Sequence, residues 1–316
     1  MVTAKDANEV TGTKRAATKR PALSRQDRKN LIKGILFISP WVIGFLAFTL
    51  WPSIYVLILS FTRYSGLGAP VWLGLQNYQR LLVDDLFWKS LGNTFFYCLL
   101  AVPIGAVVAI VMALAMNRSV REIAVYRAIF YLPSILPAFA MSFIVMALIS
   151  PQYGLVSWLL SLFGVPKTSY LSDPWGAKIV IVAMAQLGAG NAALIFLAGL
   201  KGIPETLYEA ARLDGAGPVR RFFNITLPLI SPIVLFNLIT GISSGLQVFT
   251  QAYIMTNGGP NNETLFYMLY LYKNAFSYAQ FGYASALSIV LFVIGLIMAL
   301  ITYVVSKRFV TYDLVS

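Results

Sequence analysis

Asn237, Thr240, Ser244 and Gln247, with Gln251 just beyond, recur at alternating steps of three and four residues inside an apolar stretch. On a helix turning about 100° per residue, the five fall within an arc of about 80°. Amides and hydroxyls form hydrogen bonds without carrying charge. The chemistry they offer is recognition of a polar, uncharged solute, not acid–base or nucleophilic catalysis. The other face carries Leu235, Ile242 and Leu246. An unsatisfied amide facing hydrocarbon costs several kcal/mol, so the stripe must face other helices or water. Two readings fit: interhelical hydrogen bonding, or one wall of a hydrated path.

Further candidates sit in other apolar stretches. Asn93, Thr94 and Tyr97 open one, and Gln186 and Asn191 lie in another. Gln186 and Asn191 are about 140° apart on an ideal helix, so at most one is expected to share a cavity with the stripe. Tyr97 and Tyr253 are able to stack on the apolar face of a sugar ring, or to serve as membrane-belt tyrosines.

Catalysis finds few components. The chain has no histidine and one cysteine, Cys98. That excludes an internal disulfide, a cysteine metal cluster and any Ser/His/Asp or Cys/His constellation. No G-x-x-x-x-G-K-[ST] loop occurs, so no phosphate cradle for ATP is present. The expectation is no catalytic residue, no metal ligand and no cofactor in this chain.

The elements that position these residues follow from composition. Of 316 residues, 58% are hydrophobic and 11% charged, where soluble domains average about 25% charged. Six apolar stretches are long enough to cross a bilayer: roughly 35–61, 94–116, 128–149, 179–200, 229–249 and 284–306. None contains Asp, Glu, Lys or Arg. Ion-coupled carriers usually place such groups at membrane depth, so a neutral solute and an external energy source are expected. Prolines (Pro40, Pro52, Pro103, Pro133, Pro137, Pro232) and glycines (among them Gly105, Gly188, Gly190, Gly241, Gly245, Gly295) predict kinked, closely packed helices. The fold class expected is all-α, a polytopic membrane protein with six transmembrane helices.

Charge sets the orientation. Segments 1–34, 117–127, 201–228 and 307–316 hold nine, three, four and two Lys+Arg; the alternate loops 62–93, 150–178 and 250–283 hold three, two and one. The positive-inside rule puts both termini in the cytoplasm. This asymmetry explains much of the net charge of +12, so nucleic acid is not an expected partner. The predicted organisation is a basic, disordered cytoplasmic tail (1–34), a first span with its extracytoplasmic loop (35–93), a transmembrane core (94–306) and a C-terminal cytoplasmic tail (307–316).

The loop from Lys201 to Pro228 reads KGIPETLYEAARLDGAGPVRRFFNITLP. Pro204 suits a first helical position, and Glu205 and Glu209 suit the positive end of the dipole. Ile203, Leu207, Ala210 and Ala211 form an apolar face. Asp214-Gly215 ends the helix, with Gly215 free to take positive φ. Pro218 opens a second short helix. The first helix fits either docking or lying on lipid.

Here the sequence resembles a family. Glu209-Ala210-Ala211, Gly215 and Ile225-x-Leu227-Pro228 match the EAA signature of ABC importer permeases. The run LYEAARLDGAGPVRRFFNITLP, the stretch ISPWVIGFLAFTLWPSIYVLILSFTRY and the stretch MTNGGPNNET are similar to the carbohydrate branch, of the maltose and glycerol-3-phosphate first-permease type. The resemblance spans roughly residues 35–310. It implies the type I ABC importer permease fold in a bacterial or archaeal inner membrane. It also implies that the loop is a coupling helix for a cytoplasmic ATPase. Glu209 would make a polar contact with that ATPase, Ala210, Ala211 and Leu213 would pack into its cleft, and Asp214 and Gly215 would close the turn. The implied partners are two ATPase subunits holding ATP and Mg, a second permease, an extracytoplasmic solute-binding protein and a sugar. The substrate path would run along Asn237, Thr240, Ser244, Gln247, Asn191 and Tyr97. The alternatives are a phosphorylated polyol such as glycerol-3-phosphate as cargo, a secondary transporter of a neutral solute, and a structural component with no path of its own.

Overall fold

A computed structural model describes residues 25–118 and 121–306, and the chain divides into two compact units, Met1–Ile54 and Tyr55–Ser316. α1 (Arg25–Phe45) and a π turn, Leu46–Leu50, lie in the first, and α2 (Trp51–Leu59) follows, its residues from Tyr55 on belonging to the second. The turn has a local cause. Pro52 has no N–H, and its ring would strike the carbonyl four residues back. The Trp51 N–H donates five residues back, to Leu46 O, and the wider turn makes room. α1 starts inside the segment read as a disordered tail. Arg25, Arg28, Lys29 and Lys33 occupy its first turns; their stems are good helix formers and their heads stay in water. The rest of that tail, 1–24, and the C-terminal tail, 307–316, lie outside the described residues.

After α2 the second unit has a two-stranded antiparallel ladder, β1 (Thr62–Arg63) on β2 (Val71–Trp72), in which Thr62 pairs with Trp72. Then come α3 (Gln76–Val83) and α4 (Asp85–Met116). The Asp84 carboxylate caps α4 by accepting from the Leu86 and Phe87 N–H groups at 3.0 and 3.3 Å. α4 therefore begins at Asp85, ahead of the span expected from residue 94, and carries Asp85 and Lys89 in its first turns. A charge-free window could not register turns that stand clear of hydrocarbon.

Next are α5 (Ile123–Ile135) and α6 (Ala138–Leu148), bent by 104°. Leu136 precedes Pro137, whose ring forces it into an extended conformation, φ −68° and ψ 134°. The single span expected over 128–149 is thus two helices. After α7 (Leu155–Leu162), α8 (Pro174–Gln186) and α9 (Gly190–Lys201) are joined by a 3₁₀ turn, Leu187–Ala189. Then α10 (Glu205–Leu213), α11 (Pro218–Arg221), a π turn (Phe222–Thr226), α12 (Leu227–Leu229) and α13 (Ser231–Leu246) follow in close succession. α14 (Thr250–Met255), α15 (Tyr267–Tyr272) and α16 (Phe281–Ser306) complete the described chain.

Among the described residues five helical stretches are long and apolar enough to span a membrane, or six with α5 and α6 taken as one broken span. The protein is therefore an all-α, multi-pass membrane protein. α4 is the central post of the second unit, packed on α8, α9 and α13, while α13 also packs on α16. One core cluster gathers Tyr97, Ile181, Leu246, Tyr267 and Leu287. The other gathers Ala113, Met116, Phe196, Leu200 and Ile230 toward the α10 end. Lipid is as apolar as leucine, so close packing rather than water exclusion holds these contacts.

Candidate functional site

α13 lies tightly on α4 because the contact is made of glycines. A Cβ on Gly241 would come within 2.9 Å of Val102 Cγ1, and one on Gly245 within 2.8 Å of Cys98 Sγ. Small residues four apart let the two backbones approach, as in other membrane helix pairs. Beside that contact opens a cavity of about 650 Å³. Tyr97, Asn191, Asn237, Thr240, Ser244 and Gln247 all line it, together with Gln186 and Gln251. No charged side chain does.

The hydrogen bonds define what the wall offers. Asn237 Nδ2 donates to Ile233 O at 2.9 Å, and Gln247 Nε2 to Ser243 O at 3.1 Å. Gln186 Nε2 donates to Val182 O and Ala101 O at 2.8 and 3.4 Å. Each amide turns its NH₂ end to backbone carbonyls, which only accept, and so leaves its own oxygen as an acceptor. Gln186 Oε1 is buried with no hydrogen-bond partner. The wall is thus uncharged, with the Asn237 and Gln247 side-chain oxygens left as acceptors.

Two expectations are corrected. Gln186 and Asn191 both face the cavity. Gly188, Ala189 and Ala192, between and beside them, are small enough for the cavity to reach around the helix. Asn93 and Thr94, in contrast, are structural. Asn93 Nδ2 donates to Asn262 O and Leu265 O at 2.9 and 3.2 Å, and Thr94 Oγ1 accepts from the Tyr267 N–H at 2.8 Å. Tyr253 stacks on Phe249, with ring centroids 5.3 Å apart, and does not line the cavity.

Those contacts belong to a clasp that sequence reasoning missed. Glu263 receives Lys89 of α4 at 3.0 Å and Lys178 of α8 at 2.5 Å, so the Asn257–Phe266 loop fastens two cavity helices together. These are the ion pairs among the described residues. Hydrogen bonds from Lys178 and Lys89 hold the Glu263 carboxyl below its ordinary value of 4.5. Glu263→Gln should leave Lys178, whose side chain is 12% exposed, without its counter-charge. A loss of about 1 kcal/mol of stability is expected, since partly exposed pairs are worth little more. Hydrogen exchange should show faster opening confined to the loop.

A second hub lies at the start of α4. Asp84 Oδ2 accepts from the hydroxyls of Tyr270, on α15, and Tyr283, on α16. Burial raises the Asp84 carboxyl, but the hydrogen bonds from Tyr270, Tyr283, Phe87 and Leu86 outweigh it, and the group lies below its ordinary 3.8. Both carboxylates are thus depressed in the folded state. Their contribution is complete above pH 4.5 and is lost as pH falls through the lowered values. The melting temperature should be flat down to that pH and drop below it, and Asp84→Asn should blunt the drop.

At the other end stands α10. Tyr208 and Thr226 hydroxyls pair at 2.9 Å and tie it to the π turn below α13. Gly215, at φ +72°, closes it, with Gly215 N donating to Arg212 O at 3.0 Å and Ala216 N to Ala211 O at 2.8 Å. Glu209, Ala210, Asp214 and Gly215 are exposed, Ala211 is half-buried, and Leu213 is 90% exposed. From Pro218 the chain stays helical, except for short turns, into the stripe of α13. The second π turn again precedes a proline: the Leu227 N–H reaches back to Phe222 O, ahead of Pro228.

Residues 101–311 match the family described as "Binding-protein-dependent transport system inner membrane component". The chain belongs to that family. This permease is 41% identical to the probable ABC transporter permease protein YesP of Bacillus subtilis, over 92% of this chain and 95% of that one. It is 32% identical to the lactose transport system permease protein LacF of Rhizobium radiobacter, over 91% and 96%. Its fold is that of a chain in a bacterial ABC transporter involved in the import of the acidic polysaccharide alginate, with TM-score 0.77 and 24% identity over 90% and 97% of the two chains. The EAA-based resemblance thus holds at the level of family and fold. The permease is a transport component.

Proposed function

We propose that this permease carries a neutral sugar or oligosaccharide inward by alternating access. The carrying observation is the uncharged, acceptor-rich lining of the 650 Å³ cavity. Many sugar hydroxyls donate at little desolvation cost to such a wall, whereas a phosphorylated polyol brings two negative charges that need Lys or Arg. The name of the lactose permease relative supports the same class. Tyr97, Asn191, Asn237, Thr240, Ser244 and Gln247 form the path. An extracytoplasmic binding protein delivers the sugar, in the cytoplasmic membrane of a bacterium or archaeon with both termini inside.

ATP, with Mg, is bound and hydrolysed by a pair of separate ATPase subunits. Two ATPase clefts need two levers and this chain has one, so a second permease supplies the other. Glu209, Ala210, Ala211, Leu213, Asp214 and Gly215 engage the cleft. Closure of the ATPase dimer displaces α10, and the helical run through Phe222–Thr226 passes the shift to α13. Only contacts that differ between the two states do work in this coupling. Competition tests the substrate class. Uncharged di- and trisaccharides should inhibit uptake at concentrations where glycerol-3-phosphate does not; equal inhibition would reject the neutral-sugar reading.

A further inference from the structure

Between the last turns of α4 and the first of α5 lies a cleft of about 530 Å³, apart from the polar cavity. It is lined by Val111, Leu114, Ala115, Tyr126 and Phe130, with Arg118 among them. The lining is apolar except for Arg118 and the Tyr126 hydroxyl. Arg118 stands just past Met116, where the apolar span ends, and its side chain is exposed. It pairs with no acid among the described residues, since both ion pairs there end on Glu263.

The surrounding charges leave it free for an outside anion. Segment 117–127 holds Arg118, Arg121 and Arg127 against the single acid Glu122. Arg127 is already engaged: Nη2 donates to Met116 O at 3.1 Å and offsets the negative end of the α4 dipole. The occupant must therefore fill an apolar cleft at membrane depth and present an anion at its rim. A partner helix would have to bring a carboxylate to Arg118, whereas an anionic phospholipid carries both parts in one molecule.

We propose that this cleft is a binding site for an anionic phospholipid, with one acyl chain against Val111, Leu114 and Phe130 and the headgroup phosphate on Arg118. The test uses the full-length chain, purified in mild detergent with equal amounts of phosphatidylglycerol and phosphatidylcholine of matched chains and weighed by native mass spectrometry. Wild type should retain phosphatidylglycerol in preference. Arg118→Gln should cut that retention about fivefold, the effect of one arginine at a lipid surface, and Arg118→Lys should keep most of it. Ala115→Trp, which fills the cleft, should lose it with the rim charge intact. Added inorganic phosphate should displace nothing. Equal retention of both lipids, or full retention by Arg118→Gln, overturns the site. So does loss of the lipid whenever a second permease subunit is bound, because a protein then fills the cleft.

Discussion

Leu213→Asp should reduce ATP-driven uptake by at least about tenfold while the protein inserts and folds as wild type. Leu213 is 90% exposed in the isolated chain, so the substitution removes no internal contact. Burying a leucine in a partner cleft is worth about 1.5–3 kcal/mol, and a carboxylate forced into the same cleft costs more again. A loss of about 2 kcal/mol in docking is about 30-fold in the coupled population. Glu209→Lys should act in the same direction by reversing the polar contact. The measurements are uptake and co-purification of the ATPase subunit, against melting temperature as a folding control. Normal uptake at normal expression contradicts the lever.

The second large effect is expected inside the cavity. Ser244→Leu combined with Gln247→Leu should lower uptake efficiency about 100-fold and leave ATPase docking untouched. Both side chains are exposed to the cavity, and the one recorded bond from the Gln247 amide goes to its own helix backbone, so the double variant should melt near wild type. It removes polar partners for sugar hydroxyls, at about 1–3 kcal/mol for each group left unpaired, and it narrows the path. Retained uptake would assign the stripe to helix packing.

These two sites were legible in the sequence for different reasons. The stripe is a periodicity signal: α13 is regular from Asn237 to Ser244, where a count of about 100° per residue holds, and Gln247 and Gln251 still line the cavity although that helix ends at Leu246. The lever is a local motif whose glycine, short helix and following proline are contiguous. What escaped was non-local or irregular. Glu263 sits in the MTNGGPNNET stretch, whose composition announces turns, but its partners Lys89 and Lys178 are far away in the chain. Asp84 likewise gathers Tyr270 and Tyr283 from two other helices. Gln186 and Asn191 were expected not to share the cavity, because a count of angles leaves out the small residues around them, Gly188, Ala189 and Ala192, which let the cavity reach both. Pro133 and Pro137 announced a kink, but not its size, 104°, nor that it divides the span into two helices. α4 gained its first turns from a cap and two charges that a search for charge-free windows discards.

Reconstitution into liposomes tests the central claim most directly. The permease, assembled with its partner permease and ATPase subunits and supplied with binding protein outside, should accumulate a labelled neutral sugar only when ATP is enclosed with the ATPase. Omitting nucleotide or binding protein should stop accumulation. Accumulation by the permease without the ATPase, driven by an ion gradient, would contradict the account.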